Sequence, residues 1–376
     1  MKPGTPGFVG SRLREARELR ALSAQQLGEM LGVTRSAISQ YERDQSSPHP
    51  IVMRQIALIL NLPTGFFLLP HRPESQVQVF FRSKVATTKT ARARGGHRLR
   101  WLGEIVTALA RRLHLPNTEL QLFEPVTDPR RLGDEDIDDM AVMARQSWGL
   151  GEAPIANVVW LLESKGAIVT RGEIFDALMD SFSRWDTEDE HPLIFLNADK
   201  SSAVRSRFDA AHELGHLLIH RYVPEEYWGR DLHLREQQAN KFASAFLLPA
   251  NAFSRDVPYP SLDTFQALKP KWMVAISAML MRCQSLGLVT DAHAERLWQN
   301  LGRRHWRTRE PLDDELVVEV PRFLRTAFET LATHDPAAPS ALLAELQLPA
   351  QDVVSLAMLP HSFFEPTTDL SRFSPT

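Results

Sequence analysis

The sequence predicts an α+β protein that is mostly helical, with a helix-turn-helix bundle at the N-terminus, a central domain containing a small sheet, and a helical C-terminal tail. Three observations predict it. Residues 10–70 repeat short helical patterns with capping signals. Strand-like apolar runs appear at 167–170 and 192–196, between helical stretches. Beyond residue 306 only residues 322–332 keep a clear helical pattern. The expected divisions are 1–70 as the bundle, 71–134 as a basic linker with a connecting helix, 135–305 as the mixed domain, and 306–376 as the tail.

In the bundle, residues 12–22 form an amphipathic first helix. Ser23 and Gln26 stand at the ends of a capping box, which starts a second helix with Leu27, Met30 and Leu31 on its inner face. Gly32 stops it, because a residue without a Cβ tolerates left-handed backbone. Thr34 caps a third helix over 35–43, with Ile38 and Tyr41 inward. Pro48 and Pro50 break the chain before a fourth helix over 51–62. Residues 71–98 interleave Arg82, Lys84, Lys89, Arg92, Arg94 and Arg98 with Thr, Ala and Gly, the composition of a basic linker. Helices are then expected over 99–114, 137–148, 155–165, from 202 through the central motif, 234–248 and 272–286.

Charge is unevenly placed. Residues 1–112 carry 18 Lys and Arg against 7 Asp and Glu, a net of +11, whereas the whole chain carries −3. A basic front suits a polyanion. The helix, Gly turn, helix layout of residues 23–41 suits double-stranded DNA, with the second helix entering the major groove. Arg35, Ser36, Ser39 and Gln40 point away from Ile38 and Tyr41 toward bases or phosphates, and Thr34 toward phosphate at the helix start.

The single cysteine, Cys283, rules out an intrachain disulfide and reads as a small buried apolar residue. The N-terminus lacks the apolar run of a secretory signal, and no apolar stretch reaches the ~20 residues of a membrane span. The expectation is a cytoplasmic protein with no membrane partner; a homodimer is a further expected assembly.

The chemistry concentrates at His212-Glu213-Leu214-Gly215-His216, an H-E-x-x-H pattern. On a helix, residues four apart share a face, so both imidazoles reach one ion. Glu213 is placed to act as the base on a water molecule. Glu236, on the next predicted helix, completes a His2Glu set for one Zn2+ per chain, with one position open. Asn240, one turn on, is expected to orient the Glu236 carboxylate, and His220 to serve as a supporting histidine behind the ligands. His233 reads as solvent-facing, with donation to an oxyanion as the alternative. The strand 193–196 is a candidate edge for an extended peptide.

Two stretches resemble known families. Residues 10–70, notably Leu22-Ser23-Ala24-Gln25-Gln26-Leu27 and Gly32-Val33-Thr34-Arg35-Ser36-Ala37-Ile38-Ser39-Gln40-Tyr41-Glu42, resemble the XRE (Cro/C1-type) helix-turn-helix. Ala24 stands where that family commonly has a DNA-contacting Gln. Residues 137–290 resemble the ImmA/IrrE metallopeptidases, through Arg207 to His220, Glu236 to Ala243, and Leu247-Leu248-Pro249. That resemblance implies a zincin-like, gluzincin-type metal site with Glu236 as ligand. It also implies a site-specific zinc endopeptidase that cleaves a helix-turn-helix repressor or antitoxin, in a stress, mobile-element or phage-defence response. The alternatives are a DNA-binding regulator whose peptidase domain senses a signal, and one half of a toxin–antitoxin pair.

Overall fold

A computed structural model describes residues 4–70, 79–83, 88–174, 179–185, 191–199 and 202–365. In chain order the elements are α1 (Gly10–Leu19), α2 (Ala24–Leu31), α3 (Arg35–Glu42), α4 (Pro50–Leu60), β1 (Phe80–Ser83), α5 (Lys89–Ala110), α6 (Asp134–Ser147), α7 (Val158–Ser164), β2 (Ile168–Gly172), β3 (Met179–Trp185) and β4 (Pro192–Asn197). There follow α8 (Ala203–Ile219), α9 (Leu232–Leu247), α10 (Ala250–Asp256), α11 (Leu262–Trp272), α12 (Ile276–Ser285), α13 (Asp291–Arg303), α14 (Phe323–His334), α15 (Ala338–Leu346) and α16 (Ala350–Leu356). The fold is the predicted one, mostly helical with a small sheet.

The elements sort into two compact units. The first gathers residues 1–73, 100–114 and 324–376, and the second residues 74–99 and 115–323.

In the first unit the expected caps form. The Ser23 hydroxyl accepts from the Gln26 N–H while the Gln26 side chain accepts from the Ser23 N–H, closing the capping box of α2. Gly32 takes φ 67° and ends α2. Leu27 and Ile38 are fully buried, and Tyr41 packs edge-on to Phe8 with ring centroids 6.5 Å apart. Met30 departs from expectation: it is 56% exposed, while Leu27 and Gly28 are buried and Leu31 is half-buried. The core holds charge as well as hydrocarbon. Glu15, fully buried, accepts from Trp101 Nε1 at 2.9 Å and pairs with Arg12, which also reaches Glu104 at 2.8 Å and lies over the Phe66 ring. Such burial is tolerated because each charge has a partner.

The tail is richer than its pattern suggests. α15 and α16 follow α14, burying Leu342, Leu346, Val353 and Leu356. Short helices broken by Pro349 and a left-handed Gln347 leave too few turns for a visible period.

In the second unit the sheet order is β1-β3-β4-β2. β4 runs antiparallel to β3 and parallel to β2. This corrects one expectation: β4 is an interior strand, paired on both sides and buried at all six positions, and so offers no edge to a peptide. Its continuous apolar run is the signature of a strand covered on both faces. The stretch read as a basic linker also carries order. Residues 80–83 form the edge strand β1, and α5 starts at Lys89 rather than near 99. Its charges lie among Ala residues that favour helix, and alternation over four residues is too short to announce a strand. Residues 71–78 and 84–87 of that stretch lie outside the described residues.

The helix expected over 272–286 is α12, which starts four residues later because a separate helix, α11, ends at Trp272. Met273, left-handed at φ 53°, ends α11, and Glu310 accepts from the N–H groups of Ile276 and Ser277 to start α12. The same Glu310, with Asp313, neutralises the fully buried Lys269 at 3.0 and 2.7 Å. Glu319 likewise caps α7 through the N–H groups of Val158 and Val159 and pairs with buried Arg207. Residues 310–319 are therefore built into the second unit. Among the described residues no helix is long and apolar enough to cross a membrane.

Candidate metal centre and DNA-facing helix

α8 is buried at nearly every position, so its polar residues are shielded from bulk solvent. It packs on α9 at close range. A Cβ on Gly215 would lie 3.2 Å from Ala239 Cα and 3.2 Å from the Phe242 ring, so this glycine lets the two helices approach. That approach brings His212, His216 and Glu236 together, with one ligand atom from each within 4.8 Å of the others. The two Nε2 atoms are 3.0 Å apart, and Glu236 oxygens lie 3.4 Å from His212 Nε2 and 3.1 Å from His216 Nε2.

A chain of hydrogen bonds fixes what these atoms offer. Gln238 Nε2 donates to the carbonyl of Pro129 at 2.7 Å, which turns its Oε1 toward His220 Nε2 at 3.0 Å. His220 therefore donates from Nε2 and accepts at Nδ1, where His216 Nδ1 stands at 3.0 Å. His216 then carries its proton on Nδ1 and a lone pair on Nε2. His212 Nδ1 donates to Asn240 Oδ1 at 3.0 Å, leaving its Nε2 bare as well. Two lone pairs and a carboxylate converge with no proton between them, a donor set that suits a cation.

The electrostatics agree. Burial pushes the His212 imidazole down to about 3, with the Arg82 charge adding to the effect, so it is neutral at physiological pH. Burial likewise holds His220 well below its ordinary value.

Glu213 points toward β3. Ser181 donates to Oε1 at 2.6 Å and Ser183 to Oε2. Burial pushes its carboxyl up to about 8, against the pull of those two hydroxyls. Alternation along β3 puts Ser181 and Ser183 on one face. Sequence reasoning missed both, and a Ser-x-Ser run within a strand was the only available signal. It also missed Gln238. Asn240 supports the centre through His212 rather than Glu236, because one turn of α9 carries it past the carboxylate to the Nδ1 of the neighbouring helix. His220 stands behind His216, and His233 is exposed. Cys283 is fully buried, and burial raises its thiol to about 12.

In the first unit, the Thr34 hydroxyl caps α3 by accepting from the Ala37 N–H at 3.1 Å. Thr34, Arg35, Ser36 and Gln40 are exposed and Ser39 is half-buried. α3 is held at its inner side by Ile38 and by the pair Arg17–Glu42 at 2.5 Å, which anchors it to α1.

Comparison with known proteins locates both units. Residues 13–67 match the family model described as helix-turn-helix. A 59-residue stretch is 39% identical to an uncharacterized HTH-type transcriptional regulator of Sinorhizobium medicae (strain WSM419), covering 16% of this chain and 42% of that protein. The same figures hold for an uncharacterized HTH-type regulator of Rhizobium meliloti (strain 1021). Over 63 residues the chain is 35% identical to the HTH-type transcriptional regulator SutR of Escherichia coli (strain K12), covering 17% of this chain and 35% of that one. The chain thus spans less than half the length of the curated relatives it matches. Residues 166–284, which hold β2 to β4, α8 and α9, match the peptidase M78 model described as IrrE N-terminal-like domain, so the chain joins an N-terminal helix-turn-helix DNA-binding domain to an IrrE-like peptidase domain.

Proposed function

We propose that this chain is a zinc-dependent, site-specific endopeptidase whose DNA-binding domain brings it to its target, a helix-turn-helix repressor or antitoxin. The observation that carries the reading is the convergence of two bare imidazole Nε2 atoms and the Glu236 carboxylate beside a buried Glu213. His212, His216 and Glu236 hold the metal. A bound zinc ion supplies Lewis acidity and makes water nucleophilic near neutral pH.

The chain's own groups do the rest. Glu213 takes the proton of the attacking water and passes it to the leaving amine. Ser181 and Ser183 hold its carboxylate in one orientation. Without a cation nearby, burial keeps Glu213 protonated at neutral pH; a neighbouring dication favours the ionised form that a base needs. Asn240 and the His220–Gln238 relay keep the two imidazoles in the ligating tautomer. Thr34, Arg35, Ser36, Ser39 and Gln40 meet the DNA, and the phosphate contacts of the basic front make that binding salt-sensitive.

The test is to incubate zinc-loaded protein with helix-turn-helix repressors encoded beside its own gene. The reading expects cleavage of one of them at one position, stopped by a chelator and restored by zinc. Intact repressors under all these conditions contradict it.

A further inference from the structure

We infer that β1 is a built-in occupant of the peptide-binding edge, a strap that closes the metal centre until an extended segment of a substrate protein displaces it. The inference rests on the peptidase reading above and adds what controls it.

β1 pairs antiparallel with β3, the strand that holds Glu213. Phe80 lies opposite Ser183, Phe81 opposite Phe182 and Arg82 opposite Ser181. Opposed residues in an antiparallel pair share a face. Phe80 and Arg82 therefore stand on the Glu213 side. Phe80, 3% exposed, stacks on the His216 ring with centroids 5.0 Å apart and planes 7° off parallel. Arg82 pairs with Asp209 of α8 at 3.0 Å and lies over the Phe208 ring. β1 thus bridges the edge of β3 and the face of α8 that carries the motif.

The consequence is a closed site. His212 and Glu213 have no exposed surface and His216 has 1%. A scissile peptide bond must come beside Glu213 and the space between the ligands; β1 fills the β3 edge next to Glu213 and covers His216 with Phe80, so an extended substrate has no strand position there while β1 stays. Two further facts mark β1 as an occupant rather than part of the domain's frame. The family match begins at residue 166, so β1 lies outside the matched residues. Among the described residues no strand pairs with the outer edge of β1.

Main-chain bonds to β3 give affinity without sequence choice, whereas side-chain positions give selection. The contacts of β1 therefore name the substrate class: an extended segment with an aromatic residue at the Phe80 position and a cationic one two residues on. A tethered strand competes at a ~mM effective concentration, which a free segment must outbid.

The test uses the full zinc-loaded chain with Glu213→Gln, which keeps the probe uncut. The probe is a fluorescein-labelled peptide reproducing residues 77–85, followed by anisotropy. Phe80→Ala with Arg82→Ala should bind it at least ~10-fold more tightly than the chain with β1 unaltered. Phe81→Cys with Phe182→Cys joins the two strands on the face away from Glu213. Oxidised, this variant should exclude the peptide, and on reduction it should regain the affinity of the unlocked chain. Equal affinity in all these forms overturns the strap and leaves the peptidase reading standing. Tighter binding of the peptide to the Phe80→Ala, Arg82→Ala chain, with no repressor cleaved when Glu213 is restored, upholds the strap and sinks the peptidase reading instead.

Discussion

His216 Nδ1 stands 3.0 Å from His220 Nδ1, one helical turn along α8. Two such nitrogens bond only if one carries the proton, and Gln238 settles which. The outcome is a bare Nε2 on His216, aimed at the space shared with His212 and Glu236.

This relay predicts the behaviour of His220→Ala. His216 would keep its place on α8 but lose the acceptor that fixes its tautomer. Zinc affinity, measured by competition with a chelator, should fall about 10- to 100-fold. Asn240→Ala should act similarly through His212. Unchanged affinity in both would show that neither residue matters to the ligands.

Glu213 predicts a pH dependence in the metal-free protein. Its folded-state pKa, about 8, lies above the ordinary carboxyl value of 4.5. The folded state therefore binds a proton that the unfolded state has released. The contribution of this group to stability is fully present below about 4.5 and is lost as pH rises toward 8, by an amount on the order of a few kcal/mol. Glu213→Gln has no such proton to lose. Thermal melts of metal-free protein between pH 5 and 8 should fall for the parent and stay flatter for the variant. Parallel curves would contradict the burial-driven shift.

The exposed positions of α3 predict a DNA result. Arg35→Ala with Gln40→Ala should weaken binding to the cognate operator by roughly 10-fold or more, since each side chain that reads a base is worth about 1–3 kcal/mol. Binding should also fall steeply with salt. Titration by gel shift at two salt concentrations reads both. An affinity indifferent to the substitutions would move the interface off α3.

Much of this was legible in the sequence, for identifiable reasons. Caps are local, so Ser23, Gly32 and Thr34 announced the bundle. The H-E-x-x-H spacing and Glu236 were legible because helical period alone puts two imidazoles on one face. What stayed hidden depends on contacts distant in sequence. Ser181 and Ser183 reach Glu213 across about 30 residues, and β3 itself carries the polar pattern Asp180, Ser181, Ser183, Arg184 rather than a clean apolar run. β1 is four residues long, too short for any period. Glu310 and Glu319 lie in the stretch assigned to the tail, and their N–H partners on α12 and α7 are distant in sequence.

The most direct measurement pairs zinc content with cleavage of a repressor or of a peptide bearing the Phe80–Ser83 pattern, for the parent chain and Glu213→Gln. Glu213 contacts Ser181 and Ser183, not the convergence of His212, His216 and Glu236, so the amide should leave one zinc per chain in place. It cannot accept a proton, so cleavage should drop by ~10²–10⁴. Near-parental cleavage with zinc retained would contradict the assignment of Glu213 as the base, and a parent chain that binds no zinc would contradict the metal centre itself.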